Sequence, residues 1–210
     1  MKAWKPVPSF ARMAAPAFAA VLLTSACTAP TVPDMVYYRL PESSLDYAAV
    51  SRKFELPIDV NVFAADGLYS EQALIFTQRE DGRALQTYHY QHWIDPPARL
   101  LQRRLIGVLR RAQIAPLVTD RLPASADALV VSGVILRFDR VRATDRQIAE
   151  VSVQLRVEHG GDLLDEHVYK ASIPAKDAEL QSTVDAFGAA LDQIYAEFLA
   201  DLAKLQLERR

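Results

Sequence analysis

The only cysteine of the chain, Cys27, directly follows a short apolar run and the small residues Ser25 and Ala26. The segment before it is basic, with three Lys or Arg side chains and no acidic one. A basic start, an apolar run and small residues are the parts of a secretory signal peptide, and a cysteine placed directly after them completes a bacterial lipobox. We therefore predict that residues 1–26 are a signal peptide, cut between Ala26 and Cys27. The thiol then receives a diacylglycerol and the new amino group a further acyl chain such as palmitate.

The length of the apolar run argues against a membrane-spanning segment. Residues 13–23 number eleven, whereas a spanning helix needs about 20. Several acyl chains hold a protein stably at a bilayer. Because Thr28 stands where an aspartate would retain a lipoprotein at the inner membrane, we expect the periplasmic face of the outer membrane. Inner-membrane retention is the less favoured location, and an ordinary cleavage site that leaves Cys27 a free thiol is the alternative.

Little else in the chain could do chemistry. A glycine-rich phosphate loop, a G-x-S-x-G nucleophile elbow and an H-E-x-x-H zinc motif are all absent from the sequence. His89 and His92 are the nearest pair of metal ligands, but residues three apart on a strand point to opposite faces. We predict a noncatalytic protein without a metal or a cofactor. A hydrolase with an unrecognised spatial triad is the remaining catalytic alternative.

Composition and charge restrict the partners. Without residues 1–26 the chain keeps 21 basic and 26 acidic residues, a formal charge of −5. That balance argues against nucleic acid, whose binding needs clustered basic surface. No second cysteine exists for an intrachain disulfide, so the fold must rely on its core. Pro30 and Pro33 favour an extended lipidated tether over residues 27–34, and residues 35–210 are expected to form a single domain.

The first half of the domain is predicted to contain strands and one helix. Four β-prone runs cover residues 35–40, 56–63, 73–78 and 84–93. The last two flank Asp81-Gly82, a dipeptide typical of a tight hairpin. Asp95 is then expected to cap a helix that begins with Pro96 and Pro97 and extends to about Ile114.

This helix has two different faces. Its predicted apolar face comprises Leu101, Leu105, Val108, Leu109 and Ala112. Arg99, Arg103 and Arg110 lie opposite. Charge runs of this kind most often form a solvated helix back, and the alternative is contact with lipid headgroups or an acidic partner.

The preceding strand carries an aromatic surface. Alternation predicts that either Tyr88, Tyr90 and His92, or His89 and Trp93, lie on the sheet face that the helices leave uncovered. An uncovered aromatic face would suit a partner strand, an acyl chain or a second copy of the chain. Tyr88 and Tyr90 are therefore predicted partner contacts.

The second half of the domain is predicted to form a three-stranded meander and a helix. Residues 128–138 are apolar at both odd and even positions, as in a central strand. In residues 151–158 apolar and polar residues alternate, before the turn at Gly160-Gly161. Another alternating run leads to Pro174. The final helix, residues 177–207, carries an apolar seam formed by Val184, Phe187, Leu191, Ile194 and Phe198. Packing on the sheet is favoured over a coiled coil, because the seam continues for little more than two heptads.

Together these elements predict an α+β fold. We expect a two-layer sandwich in which a mixed or largely antiparallel sheet carries the two main helices on one face.

Several of these residues also carry a resemblance to a known family. The motif residues are Tyr37, Tyr38, Leu40, Gln72, Trp93, Asp95 and Pro96. The first three form a tyrosine-rich strand soon after the lipobox, Gln72 begins a Q-I-V-x-R-like strand, and the last three form a W-x-[DE]-P turn that opens a helix. With the lipobox, this pattern resembles the ABC-type transport auxiliary lipoprotein family, which includes the PqiC-like proteins.

The resemblance implies an accessory role in moving lipids or other hydrophobic compounds across the envelope. The implied partners are an ABC permease and ATPase and a substrate-binding protein with an MCE domain, with this chain as a docking component. The motif residues are interpreted as mainly structural, with Trp93 joining hairpin to helix. The alternative function is a structural outer-membrane assembly lipoprotein unrelated to an ABC transporter.

Overall fold

The structure, a computed structural model, describes residues 3, 32–45, 52–79, 81–123 and 125–206. Residues Asp34–Arg210 form one compact unit, and of the other unit, Met1–Pro33, only three residues are described. The predicted cleavage site, Cys27 and most of the tether therefore lie outside the described residues.

One long strand organises the sheet. The strands are β1 (Val36–Tyr38), β2 (Ile58–Val60), β3 (Ala64–Ala65), β4 (Ala73–Thr77), β5 (Leu85–Trp93), β6 (Val118–Thr119), β7 (Leu129–Arg142), β8 (Gln147–His159) and β9 (Asp162–Pro174). Along one side, β7 pairs with antiparallel β8, which pairs with antiparallel β9, so the predicted meander is confirmed. Along its other side, β7 pairs in parallel with the short strands β2, β3 and β4 in turn.

The remaining strands extend the sheet to its edges. The predicted hairpin is confirmed, since β4 and β5 are antiparallel and Gly82 takes a φ of 63° in the turn between them. Strand β1 pairs in parallel with β5, and β6 pairs in parallel with β2. The sheet is therefore mixed, because the meander and the hairpin are antiparallel while the short strands pair in parallel.

Two helices pack on this sheet, α1 (Pro97–Arg111) and α2 (Leu180–Lys204). All five apolar residues predicted for α1, and all five of the α2 seam, are buried in one core cluster with the sheet. The fully buried Tyr195 of α2 donates a hydrogen bond to the carbonyl of Leu101 in α1 over 2.9 Å. The seam of α2 thus packs inside the domain, as predicted, and its coiled-coil alternative is wrong. No helix within the described residues has the length and apolarity to span a bilayer.

The α+β class is confirmed, but its predicted two-layer form is not. The many-stranded sheet curls into an open half-barrel around the helices instead of forming a flat layer. Strand twist accumulates across a wide sheet, and sequence periodicity does not report that accumulation.

The start of α1 also differs from the prediction. The residue that caps α1 is Pro96, and no side chain in the described part of the chain accepts a capping hydrogen bond there. Asp95 lies one residue too early to cap the helix, and its carboxylate instead pairs with Arg103 over 2.7 Å. The helix ends at Arg111 rather than near Ile114, because Gln113 adopts a positive φ of 52°.

Candidate functional site

The motif residues meet where the N-terminal segment crosses the end of β5. The amide of Trp93 donates to the carbonyl of Gln72 over 2.7 Å, and the Gln72 side chain donates to the carbonyl of Ile94 over 3.2 Å. The amide of Ile94 donates in turn to the carbonyl of Tyr38 over 2.9 Å. These bonds fasten β1 and β4 to the turn that opens α1, which gives the pattern a structural basis.

Trp93 belongs to the core. Its ring centroid lies 5.3 Å from that of Phe138 on β7 and 5.5 Å from that of Phe187 on α2. Tyr88 also packs against this core, and its hydroxyl accepts a hydrogen bond from Arg140 over 2.9 Å. Neither predicted aromatic set therefore lies intact on the uncovered face. The cause is a bulge in β5 opposite β4, which breaks the strict alternation between Tyr88 and Trp93.

The other predicted partner tyrosine is placed differently. Tyr90 is partly buried, and its ring centroid lies 6.4 Å from that of His89. The exposed Tyr37 of β1 approaches His92, with ring centroids 5.9 Å apart. Tyr90 therefore stays a predicted contact, at the side of the sheet where β1 forms the edge.

A buried ion pair lies directly beneath this region. Arg104 of α1 and Asp192 of α2 approach to 2.7 Å, with side chains only 7% and 9% exposed. Arg104 also donates to the carbonyls of Pro41 and Gly188, while Asp192 accepts from the amide and hydroxyl of Ser44 over 2.9 and 3.0 Å. We call this group of five residues the N-terminal clamp, because it ties the segment after β1 to both helices.

The clamp depends on an ionised carboxylate. Burial by itself raises the pKa of Asp192, but hydrogen bonds from Ser43 and Ser44 and the charge of Arg104 outweigh it. The pKa of Asp192 therefore lies below the ordinary value of an aspartate. Sequence reasoning missed this pair, although an acidic residue inside the buried surface of α2 is itself a signal that a cationic partner is near.

A close packing contact completes the clamp. A Cβ atom added to Gly188 would overlap the ring of Pro41, lying 3.0 Å from its Cδ. Only glycine lets the N-terminal segment approach α2 this closely.

Gly188→Ala is therefore expected to destabilise the domain by about 1–2 kcal/mol. Overpacking typically costs about 1–3 kcal/mol, and the better helix propensity of alanine returns up to about 1 kcal/mol. Gly107→Ala is the matched control, because among the described residues a Cβ there meets only Arg111, at 3.6 Å, and the substitution should stabilise α1. Chemical unfolding of both variants measures the difference. Equal stabilisation by the two substitutions would show that Pro41 gives way freely.

An open groove lies above the clamp. Its volume is about 490 Å³, and it lies between the segment after β1, the turn after β5 and α1. We call it the arginine groove, because Arg39, Arg103, Arg104 and Arg111 all line it. Of the arginines predicted on the back of α1, the structure brings Arg103 into the groove. Arg99 and Arg110 are exposed outside it, and Arg110 donates to the carbonyl of Val118 over 2.8 Å.

A second polar cluster joins β7 to the short 3-10 turn of residues 67–70. Asp139 of β7 is fully buried and receives hydrogen bonds from Arg137 over 3.0 and 3.1 Å and from the hydroxyl of Tyr69 over 2.9 Å. Burial raises the pKa of Tyr69, and the negative charge of Asp139 adds to the effect. A bulge at Ile135 and Arg137 accompanies the cluster. The alternation of the sequence did not reveal this cluster, because Asp139 and Arg137 have the polarity of ordinary solvent-facing strand residues.

The described residues contain no group of three or more His, Cys, Asp or Glu side chains that could hold a metal ion. His89 and His92 do not converge on a common point. Instead, the His92 ring contacts the backbone carbonyl of His89 over 3.2 Å.

Comparison with known proteins agrees with this architecture. A crystal structure of a Xanthomonas campestris protein of the DUF330 family matches 80% of this chain and 95% of its own, with a TM-score of 0.68 and 14% identity. The crystal structure of an uncharacterized protein matches 81% of this chain and 99% of its own, with a TM-score of 0.66 and 13% identity. At these identities the likeness concerns the fold alone. No curated protein is significantly similar to the chain.

The family assignment rests on sequence. The family model described as the ABC-type transport auxiliary lipoprotein component matches residues 58–198, which is more than half of the chain. The resemblance based on the motif residues is thereby confirmed, and the chain belongs to the family of ABC-type transport auxiliary lipoprotein components.

Proposed function

We propose that this protein is a noncatalytic docking component of an ABC-type envelope transport system that moves lipids or other hydrophobic compounds. The match of residues 58–198 to the auxiliary lipoprotein family carries the proposal. In it, the lipidated Cys27 holds the domain at the periplasmic face of the outer membrane. The partners are an MCE-domain substrate-binding protein and the permease and ATPase of the transporter.

The exposed back of α1 is the proposed docking surface. Helix α1 contains five arginines and no acidic residue, in a chain whose predicted mature charge is −5. Arg99, Arg103 and Arg110 are all exposed. A concentrated positive surface on an acidic protein steers and orients a partner with an acidic surface. The partly buried Tyr90 is proposed as a further contact.

Affinity purification of the full chain from membranes tests the docking proposal. We expect the MCE-domain protein and the permease to copurify, and Arg99→Glu combined with Arg110→Glu to lower their recovery at least fivefold at low salt. Arg52→Glu combined with Lys176→Glu is the matched control, since it reverses two exposed basic side chains outside α1. Its recovery should stay within twofold of the native chain.

The same preparations test the anchor. Labelled fatty acid should be incorporated by the native chain and by Ser25→Ala, but not by Cys27→Ala. Labelling that is unchanged in Cys27→Ala would refute the anchor. Recovery of the native chain without any transporter component would favour the outer-membrane assembly alternative instead.

A further inference from the structure

The arginine groove combines charge with an apolar wall. Its basic lining consists of Arg39, Arg103, Arg104 and Arg111, and its acidic lining of Glu42 and Asp95. The apolar part of the lining is Leu40, Pro41, Ile94 and Leu100. A ligand that fits both parts must carry an anionic group next to an apolar one.

The groove keeps a net positive charge after its own carboxylates are counted. Four guanidinium groups face Glu42 and Asp95, and Asp192 beneath Arg104 supplies a third negative charge. The formal charge of these side chains is therefore positive, and a positive lining attracts an anionic group.

The environment of Arg104 also favours an anionic ligand. Its side chain is 93% buried, and its Nη atoms bind Pro41, Gly188 and Asp192, but its Nε has no hydrogen-bond partner among the described residues. A buried cationic donor without an acceptor is costly. The negative charge of an anion bound in the groove would lower the cost of burying the Arg104 guanidinium.

The position of the groove supports a lipid as the source of the anion. Arg39 follows the predicted tether by only five residues and lies directly after β1. Guanidinium groups bind phosphate oxygens in a planar, often bidentate geometry.

We propose that the arginine groove binds the phosphodiester headgroup of an acidic phospholipid. The exposed Arg39 and Arg103 contact the phosphate, and Leu40 and Leu100 contact the glycerol and the first methylenes of the acyl chains. The choice of a lipid as the ligand rests on the proposed function. The inference adds the class of headgroup, an acidic phospholipid. The two tests are separable, because copurification needs no bound lipid and lipid binding by the purified chain needs no partner.

Native mass spectrometry of the full lipidated chain in a non-ionic detergent tests this proposal. The probes are dihexanoyl phosphatidylglycerol, dihexanoyl phosphatidylcholine and inorganic phosphate as a competitor. We expect at least fivefold more chain to carry phosphatidylglycerol than phosphatidylcholine at equal concentration. Arg39→Gln combined with Arg103→Gln should lower phosphatidylglycerol binding at least tenfold.

A matched double variant isolates the groove. Arg52→Gln combined with Arg121→Gln removes the same two positive charges from exposed positions outside the groove, and binding should stay within twofold of the native chain. All four arginines are exposed, so both variants should unfold at the native denaturant midpoint.

Four results would overturn the proposal. Equal losses in the two double variants would show diffuse charge attraction, and equal binding of the two lipids would remove the need for an acidic headgroup. Displacement of the lipid by an equal concentration of phosphate would identify a free-anion site. A dimer without bound lipid whose assembly the groove variant abolishes would show that a second copy occupies the groove.

Discussion

Arg104→Ala is expected to lower the free energy of unfolding by about 3–5 kcal/mol, because it leaves a buried carboxylate without its cation. Asp192 is only 9% exposed, and Arg104 is also the donor that holds the carbonyls of Pro41 and Gly188. The N-terminal segment should detach from both helices. Chemical unfolding measures the loss, and amide exchange at Ser44 reports the detachment.

The neighbouring arginine is the natural control. Arg103 pairs with Asp95 at the same distance, 2.7 Å, but its side chain is 56% exposed. Exposed pairs contribute about 0–1 kcal/mol, so Arg103→Ala should change the unfolding free energy by no more than that. Similar effects of the two substitutions would show that burial does not distinguish the pairs.

The clamp should also respond to acid. Since the folded-state pKa of Asp192 lies below its unfolded value, its contribution is complete above the unfolded pKa of about 3.9. It is lost as the pH falls from there through the folded pKa. Asp192→Asn should therefore be less stable than the native chain at pH 7 and lose less stability than the native chain below about pH 4.

Trp93→Ala is expected to cost about 3–5 kcal/mol, the usual range for removing a large aromatic side chain from a core. Trp93 is 1% exposed and contacts the rings of both Phe138 and Phe187, so the cavity would open where β5, β7 and α2 meet. Denaturant unfolding monitored by far-UV circular dichroism measures the loss without relying on tryptophan fluorescence.

Tyr37→Ala provides the comparison for Trp93. Tyr37 is an aromatic residue of the adjacent strand β1 and is 56% exposed. Its removal should change stability by no more than about 0.5 kcal/mol. If Trp93→Ala were as mild as Tyr37→Ala, the motif tryptophan would have to serve a partner instead of the core.

Local patterns in the sequence predicted the local parts of the fold. Alternation and glycine turns predicted the meander of β7, β8 and β9, and the Asp81-Gly82 dipeptide predicted the hairpin. Helical spacing predicted the buried faces of α1 and α2. Each of these signals comes from residues close together in the chain.

The parallel pairings could not be predicted in this way. β1 pairs with β5, and β2 with β6 and β7, across long separations in sequence. The short strands have too few residues for a periodic pattern that would identify the strand they pair with. The bulge in β5 further shifts its aromatic residues by breaking alternation.

The candidate site was predicted only in part. The predicted helix includes Arg104, but its partner Asp192 lies 88 residues further along the chain. The contribution of Arg39 depends on β1 pairing with β5, which brings the segment after β1 alongside α1. Long-range contacts of this kind decide which arginines share a groove.

The N-terminal clamp also has a mechanical consequence. Tension on the N-terminal segment enters the domain at β1, which runs parallel to β5, so a pull along the strand loads its hydrogen bonds in shear. Behind β1, the bonds of Pro41 and Ser44 to Arg104 and Asp192 carry the load directly into both helices. The predicted extended tether from Thr28 to Asp34 would reach about 20 Å at about 3.1 Å per residue. The point at which this segment enters the domain should therefore resist peeling.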